Sequence, residues 1–275
     1  MSDVRSHLKS LERSKRSLTD PDRPRTFSMM GREWDLLDEV FAPVHSPSTG
    51  IALDFLGLTG TDSQTRSPSL LEIGCGAGVI AVQAALAGWT AVAADINENA
   101  VENTRLNAER HAVADRVTAL HSDLFDALDD GARFDRIFWS SNYVLAPADY
   151  TYQSVHERAY VDAGYRTHRR YLEQAVHHLT DTGSVLLHFC ERGDMDGLEK
   201  IAGECGRELR VLRRRTVLEG QDPIEHTLLE VLPGPLTEAE RGSRTGARVA
   251  ASGARHRAQR ERVGVRPEKD RPVHA

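Results

Sequence analysis

Leu70-Leu71-Glu72-Ile73-Gly74-Cys75-Gly76-Ala77-Gly78 decides the fold. A short apolar run ends in glycines at alternate positions, and an apolar helical pattern follows from Val79 to Leu86. That order describes a buried parallel strand, a tight glycine turn and the start of a helix. Glycines at the turn permit positive φ and let a ligand approach bare backbone. The helix start directs free N–H groups and the positive end of its dipole at the same place. A nucleotide-like ligand suits such a turn.

The glycine spacing separates two kinds of guest. A dinucleotide fingerprint, G-x-G-x-x-G, needs a third glycine where this chain has Val79 or Ala81. The pattern here is E-x-G-x-G-x-G, through Glu72, Gly74, Gly76 and Gly78. It resembles motif I of the class I S-adenosylmethionine (SAM) methyltransferases. The resemblance implies that the loop, Cys75 included, underlies the methionine part of SAM and that Glu72 orders the loop.

The chain has 275 residues, 40% of them apolar, enough for one large domain with tails or for two small ones. No window approaches 18 uninterrupted apolar residues, so no membrane-spanning helix is expected. Cys75, Cys190 and Cys205 are far apart and form no C-x-x-C pair, so neither a zinc site nor a disulfide framework is expected. The expected setting is the reducing cytoplasm. Charge is uneven. The formal charge is −6, but the segment beyond residue 240 carries +7, leaving −13 on the rest. An acidic body weighs against a nucleic-acid-gripping enzyme. The basic tail reads as a solvated extension or as a nucleic-acid contact.

Four segments are expected. Residues 1–26 form a loose arm, with a thin helical stripe of Val4, Leu8, Leu11 and Leu18 stopped by Pro21 and Pro24. Residues 27–68 form a cap, anchored by Trp34, Leu36, Leu37 and Val40, with a turn at Gly31 and a helix from Thr49 to Leu56. Residues 69–232 form the α/β core, and 233–275 a disordered basic tail. Within the core, strands are expected at 70–73, 90–94, 117–121, 134–139, 184–189, 209–217 and 226–231. Helices lie between them, the one after Asp95 capped by Asn97. The result is a Rossmann-like, seven-stranded, mostly parallel sheet with helices on both faces and a C-terminal antiparallel hairpin. The methyltransferase resemblance implies the same seven strands.

Ligands of open α/β sheets lie outside the carboxyl ends of the strands, where the notable polar groups of this chain fall. Asp95 ends the second strand and can accept both ribose hydroxyls, or serve as an N-terminal charge for the next helix. Asp123 follows the third. The resemblance implies that it accepts the adenine amino group beside the Leu124 backbone; the alternative is a cap for a short turn. Ile96 is expected on the adenine face. Thr49 lies on a pre-core loop that folds over SAM in the resembled families.

The run Asp95-Ile96-Asn97-Glu98-Asn99-Ala100, with Ser122-Asp123-Leu124-Phe125, is similar to the small-domain methyltransferases. These include ribosomal-protein and release-factor glutamine methyltransferases. In the release-factor branch the fourth strand ends Asn-Pro-Pro-Tyr and holds a planar nitrogen. Here it ends Ser140-Ser141-Asn142-Tyr143. The tyrosine aligns, Ser140 replaces the asparagine and both prolines are absent, which weighs against amide-nitrogen chemistry. Ser140, Asn142 and Tyr143 are the candidate catalytic residues, Asn142 either binding substrate or terminating the strand. His45, His156 and His188 are candidate bases, with His188 read as structural and His177-His178 as a solvated pair. The long loop holding Tyr143, Tyr150 and Tyr152 is expected to select the substrate. The expectation is a SAM-dependent methyltransferase acting on a small molecule or, second, a protein side chain. An inactive SAM- or nucleotide-binding regulator is the alternative.

Overall fold

The computed structural model describes residues 6–59 and 67–234. Residues 235–275 of the expected basic tail and residues 60–66 of the expected cap lie outside the described residues. A helix, α1 (His7–Thr19), comes first. A hairpin of β1 (Thr26–Met29) and β2 (Arg32–Asp35) follows, turning through Met30 and Gly31, both at positive φ (55° and 68°). Then come α2 (Ser48–Phe55), β3 (Ser69–Ile73), α3 (Val79–Leu86), β4 (Thr90–Asp95), α4 (Glu98–Arg110), β5 (Val117–His121) and β6 (Phe134–Ser140). The segment after β6 pairs the two-residue strands β7 (Leu145–Ala146) and β8 (Asp162–Ala163) around a 3-10 turn at Val155–Ala159. The chain closes with α5 (Arg166–Gln174), β9 (Leu179–Cys190), α6 (Met195–Glu204), β10 (Arg207–Glu219) and β11 (Asp222–Pro233).

The main sheet runs β10-β11-β9-β6-β3-β4-β5. Strands β9, β6, β3, β4 and β5 are parallel, while β11 is antiparallel to both neighbours, so the expected terminal hairpin is present. Alternate residues feed two cores, as the pleat requires. Leu70, Phe138, Leu186 and Leu228 pack on the face covered by α2 and α3. Leu71, Ile137, Leu187 and Leu229 pack on the opposite face with Tyr171, Leu172 and Leu198. From β3 the chain steps to β4 and β5 on one side, then to β6 and β9 on the other. That reversal opens a crevice at the carboxyl ends of β3, β4 and β6.

Three local expectations differ from the structure. Thr182-Gly183, outside the strand expected at 184–189, lies within β9 (Leu179–Cys190), where the register with β6 jumps from Leu179 to Ser184. The inserted residues are absorbed as a bulge because the strands on both sides remain paired. His178 is not solvated: its ring stacks on Phe125 at 5.3 Å, and its Nδ1 lies 3.2 Å from the Ala132 carbonyl. Residues 7–19, expected within a loose arm, form a docked helix; of the leucine stripe, Leu11 packs partly buried against Val144, Ala146 and Val161. Leu8 is 66% exposed, while Ser10, Ser14 and Ser17 are buried. These serines share a face at helical spacing. Ser10 Oγ donates to the Tyr160 carbonyl, and Ser14 Oγ lies 2.8 Å from His156 Nδ1. Beside Leu11 the contact is made by hydroxyls, which a search for apolar periodicity passes over.

Candidate active site

The glycine turn is held from three sides. Gly74 N and Cys75 N both donate to the Ala94 carbonyl, at 2.8 and 3.2 Å, tying the turn to β4. Glu72 is 2% exposed and its Oε2 accepts from Ala81 N at 2.9 Å. Ala81 is the third residue of α3, so Glu72 does the work of an N-cap from a neighbouring strand, because Gly78 at the cap position has no side chain. Burial pushes the Glu72 carboxyl well above its ordinary value, against the Ala81 hydrogen bond. On the third side stands α4. Thr104 Oγ1 donates to Cys75 Sγ at 3.2 Å, and Asn107 Nδ2 donates to the Ala77 carbonyl at 2.8 Å.

The same face of α4 grips the N-terminal hairpin. Asn107 Oδ1 accepts from Asp35 N and Asn103 Oδ1 from Leu37 N, both at 2.8 Å, while Asn103 Nδ2 donates to the Asp35 carbonyl at 2.8 Å. Two buried asparagines thus replace a strand edge for β2, and Asn107 joins it to the ligand turn. Neither asparagine was singled out from the sequence, because amides on a helix read as a solvated face.

A cavity of about 530 Å³ lies in front of the turn. It falls within the usual range for small-molecule sites. Glu72, Gly74, Cys75, Gly76, Asp95, Ile96, Asp123, Leu124, Thr49, Ser140, Asn142 and Tyr143 all line it. Gly78 does not. A Cβ there would stand 2.7 Å from Thr104 Oγ1 and 2.8 Å from its Cα, at φ +76°. Gly78 allows α3 and α4 to meet and has no contact with the cavity. At Gly76 (φ +54°) a Cβ would meet no protein atom within 4 Å, so the turn leaves a cradle that only a ligand would fill.

Asp95 stands just before the start of α4 and also lines the cavity. Oδ2 accepts from Gly76 N and Oδ1 from Asn97 N, each at 2.9 Å, so the carboxylate orders the turn and the start of α4 while lining the cavity. Burial raises its pKa against those hydrogen bonds. Asp123 is neither bare nor a side-chain cap. Its Oδ1 accepts from Arg170 Nη1 at 2.8 Å, and Arg170 also reaches Asp126. Leu124 sits at φ 58°, with Ser122 Oγ donating to its carbonyl at 3.0 Å. Arg170 comes from α5, and nothing in its local sequence announces the pairing.

The other end of the cavity is roofed by α1 and the 3-10 turn at 155–159. Asn142 Nδ2 donates to the carbonyls of Arg158 and Val161 at 2.8 and 2.9 Å, so its amide is fixed, but Oδ1 is buried with no partner. His156 Nε2 is also buried without a partner. Burial, with Arg23 nearby, lowers the His156 pKa to about 4. Buried polar atoms are ordinarily paired; Asn142 and His156 both line the chamber, and each keeps one buried polar atom without a partner beside it. Tyr143 lines the chamber. Tyr150 and Tyr152 do not: Tyr150 Oη donates to Glu157, and Tyr152 Oη accepts from Ala163 N, bracing the loop from behind. His45 lines the cavity from its exposed rim, and Ser140 Oγ lies 3.0 Å from His188 Nδ1.

Known proteins agree with this architecture. Residues 70–160 match the methyltransferase domain family. The release factor glutamine methyltransferase of Rhodopirellula baltica is 39% identical over 89 residues, 32% of this chain and 30% of that protein. The ribosomal protein L11 methyltransferase of Pseudomonas putida (strain W619) is 38% identical over 76 residues, 27% of this chain and 25% of that protein. The match thus spans less than a third of these relatives' length. A SAM-dependent methyltransferase from Agrobacterium tumefaciens superposes with a TM-score of 0.53 at 16% identity, over 77% of this chain and 71% of that one. A 16S rRNA methyltransferase of T. thermophilus gives 0.52 at 21% identity, over 78% and 52%. The match at residues 70–160 is thus to a methyltransferase domain, and the seven-stranded sheet built on it shares the fold of these solved methyltransferases. Among the described residues, no helix is long and apolar enough to cross a membrane.

Proposed function

We propose that this chain binds SAM in the cavity and transfers its methyl group to a small polar molecule held under α1. One observation carries the reading. A single cavity joins the glycine turn and the acidic strand ends Asp95 and Asp123 to a roofed chamber lined by Asn142, Tyr143 and His156. SAM fits the residues present: bare backbone at Gly76 on one side, Asp95 and Asp123 as acceptors, and Ile96 and Leu124 as apolar contacts. Bound there, SAM supplies a methyl group already activated by the sulfonium.

The protein's part is then to hold an acceptor in line, which can raise effective molarity to ~10⁵ M or more. Asn142 and His156 line the chamber that would hold it, and Ser140 and Tyr143 line it beside them. The roof of α1 and residues 155–159 favours a small acceptor over a protein side chain presented on a folded partner. The replacement of Asn-Pro-Pro-Tyr by Ser140-Ser141-Asn142-Tyr143 supports the same choice. Calorimetry with SAM, followed by S-adenosylhomocysteine release in a small-metabolite extract, tests the reading. No SAM binding at millimolar concentration would end it. Turnover only with a protein fraction would move the acceptor to a protein.

A further inference from the structure

A row of side chains leads away from Ser140 through the sheet. Ser140 Oγ is 3.0 Å from His188 Nδ1, His188 Nε2 is 2.9 Å from His226 Nδ1, and His226 Nε2 is 3.0 Å from Glu219 Oε1. Glu219 Oε2 accepts from Arg192 Nε at 3.0 Å and lies 2.8 Å from its Nη2. Both imidazoles are fully buried, and Glu219 and Arg192 are about a tenth exposed. The sheet dictates the row. Ser140 stands opposite His188 in the β6–β9 ladder. His226 stands opposite Cys190 on β11, diagonal to His188, and Glu219 ends β10. One end of the row opens on the cavity, and the other is at the β10–β11 turn.

The proton positions follow from the chemistry of the ends. The Glu219 carboxylate only accepts, so His226 Nε2 donates to it. With both rings neutral, His226 Nδ1 accepts from His188 Nε2–H, and His188 Nδ1 accepts from the Ser140 hydroxyl. Ser140 Oγ then keeps lone pairs for a group in the cavity. With one more proton on the row, the bonds reverse as far as His226, which donates from both nitrogens, while His188 Nδ1–H donates to Ser140 Oγ. The row therefore has two fully hydrogen-bonded states that differ by one proton.

We propose that Ser140, His188, His226 and Glu219 form a proton relay that accepts the proton of a hydroxyl methyl acceptor. The proposal rests on the methyltransferase reading and adds the class of acceptor. The acceptor's oxygen gains the methyl group, the electron pair of the broken C–S bond stays on sulfur, and the O–H proton passes to Ser140 Oγ. Ser140's own proton moves to His188 Nδ1, and His188's Nε2 proton moves to His226, whose positive charge faces Glu219. After product leaves, the proton returns through Ser140 to water in the emptied cavity. A neutral amine can leave as a charged product and lose its proton outside, but an ether forms only if the O–H proton goes. Only a hydroxyl needs such a relay here.

The surroundings suit the task. Phe55 packs edge-on against His188 at 5.6 Å and excludes water. Burial, with His226 beside it, brings the His188 pKa down to about 3, so the ring is empty and ready at neutral pH. Burial works to raise Glu219, but the His226 hydrogen bond and the Arg192 charge outweigh it and hold the carboxyl below its ordinary value. The carboxylate stays charged opposite the ring that takes the proton, as orienting carboxylates do in catalytic triads. Ser140 touches the acceptor, and His188, His226 and Glu219 act through it.

Two experiments on the full chain test this. In protein labelled with ¹⁵N-histidine, NMR at pH 7 should show His188 and His226 both protonated at Nε2 and bare at Nδ1. Protonation of Nδ1 in either ring of the resting protein would overturn the relay. Then SAM turnover is measured with a panel of phenols and aliphatic alcohols and their matching amines. Hydroxyl probes should be methylated, and Ser140→Ala and Glu219→Gln should each lower kcat roughly 10²- to 10⁴-fold, the usual worth of a positioned proton acceptor. KM for SAM should stay near wild type while kcat falls, which separates the relay from a structural role; the melting temperature of Glu219→Gln should fall as well, because Arg192 loses its charged partner. Unchanged kcat in Glu219→Gln would overturn it, as would methylation of the amines alone or of nothing in the panel by a chain that binds SAM. Absence of SAM binding in calorimetry would overturn the underlying reading as well, and only that result would.

Discussion

Asp95 and Gly76 are joined by a 2.9 Å hydrogen bond from the glycine's N–H to Oδ2, across the floor of the cavity. The residue that faces the ligand therefore also shapes the turn on which the ligand would rest. Asp95→Ala is expected to weaken SAM binding by about 1.5–3 kcal/mol, the worth of charged hydrogen bonds, or roughly 10- to 150-fold. From sequence alone, folding should have been indifferent to this change. The structure predicts a measurable fall in melting temperature too, because Gly76 N and Asn97 N both lose their acceptor. Asp95→Asn keeps one good acceptor and should be milder on both counts. Calorimetry and thermal melts on the same preparations check this.

Gly76→Ala and Gly78→Ala should part company. At Gly78 a Cβ collides with the backbone and side chain of Thr104. The expected loss is about 1–3 kcal/mol of stability, and shrinking Thr104 would not rescue it, because its Cα is part of the clash. At Gly76 the added methyl meets no protein atom, so the φ strain alone, about 1 kcal/mol, falls on stability. The greater effect of Gly76→Ala should be on SAM affinity. Equal melting temperatures for the two variants would contradict this assignment.

Glu72 predicts a pH dependence of stability. Burial raises its folded pKa above the ordinary value of 4.5, so the folded chain holds a proton that the unfolded chain has released. Its contribution is present below about pH 4.5 and is lost as pH rises from there through the folded pKa. Glu72→Gln keeps an oxygen for Ala81 N and carries no charge. Its melting temperature relative to wild type should rise with pH above about 4.5. A constant difference across that range would show that Glu72 does not titrate as described.

His156 has the opposite sign. Its pKa falls to about 4 on folding, so the unfolded chain binds the proton first as pH drops. The stability tied to neutral His156 is complete above about pH 6.5 and lost between there and about pH 4. His156→Gln should flatten that part of the stability profile, read by thermal melts from pH 4 to 7.

The sheet was legible because each strand carries its own signal: a short apolar run closed by a turn or by a polar residue at the carboxyl end. The glycine turn and the acids were legible because their spacing is local. What the sequence withheld is pairing across distance. Arg170 meets Asp123 from 47 residues away, and His188 meets His226 across 38. His188 looked structural because its partners are visible only when β6, β9 and β11 lie side by side. Gly78 was read with its neighbours as a ligand residue, since spacing cannot distinguish a glycine that admits a ligand from one that admits a helix. The serine face of α1 was missed for a different reason. Its packing rests on hydroxyl bonds, and apolar periodicity is blind to those.

That serine face has a mechanical consequence. Separating two apolar surfaces exposes them to water at roughly 25 cal/mol per Å². The buried side chains by which α1 rests on its neighbours are Ser10, Ser14 and Ser17. Hydroxyls that let go of a carbonyl or an imidazole find water at once, so lifting the helix costs mainly the apolar contact of Leu11 with Val144, Ala146 and Val161. The rest of the cavity is walled by the rigid sheet and by α4, whose asparagines are locked to the hairpin. The cheapest motion that opens the chamber is therefore a swing of α1. Amide exchange along residues 7–19 should be faster than in any other helix of the described chain and should slow when the chamber is filled.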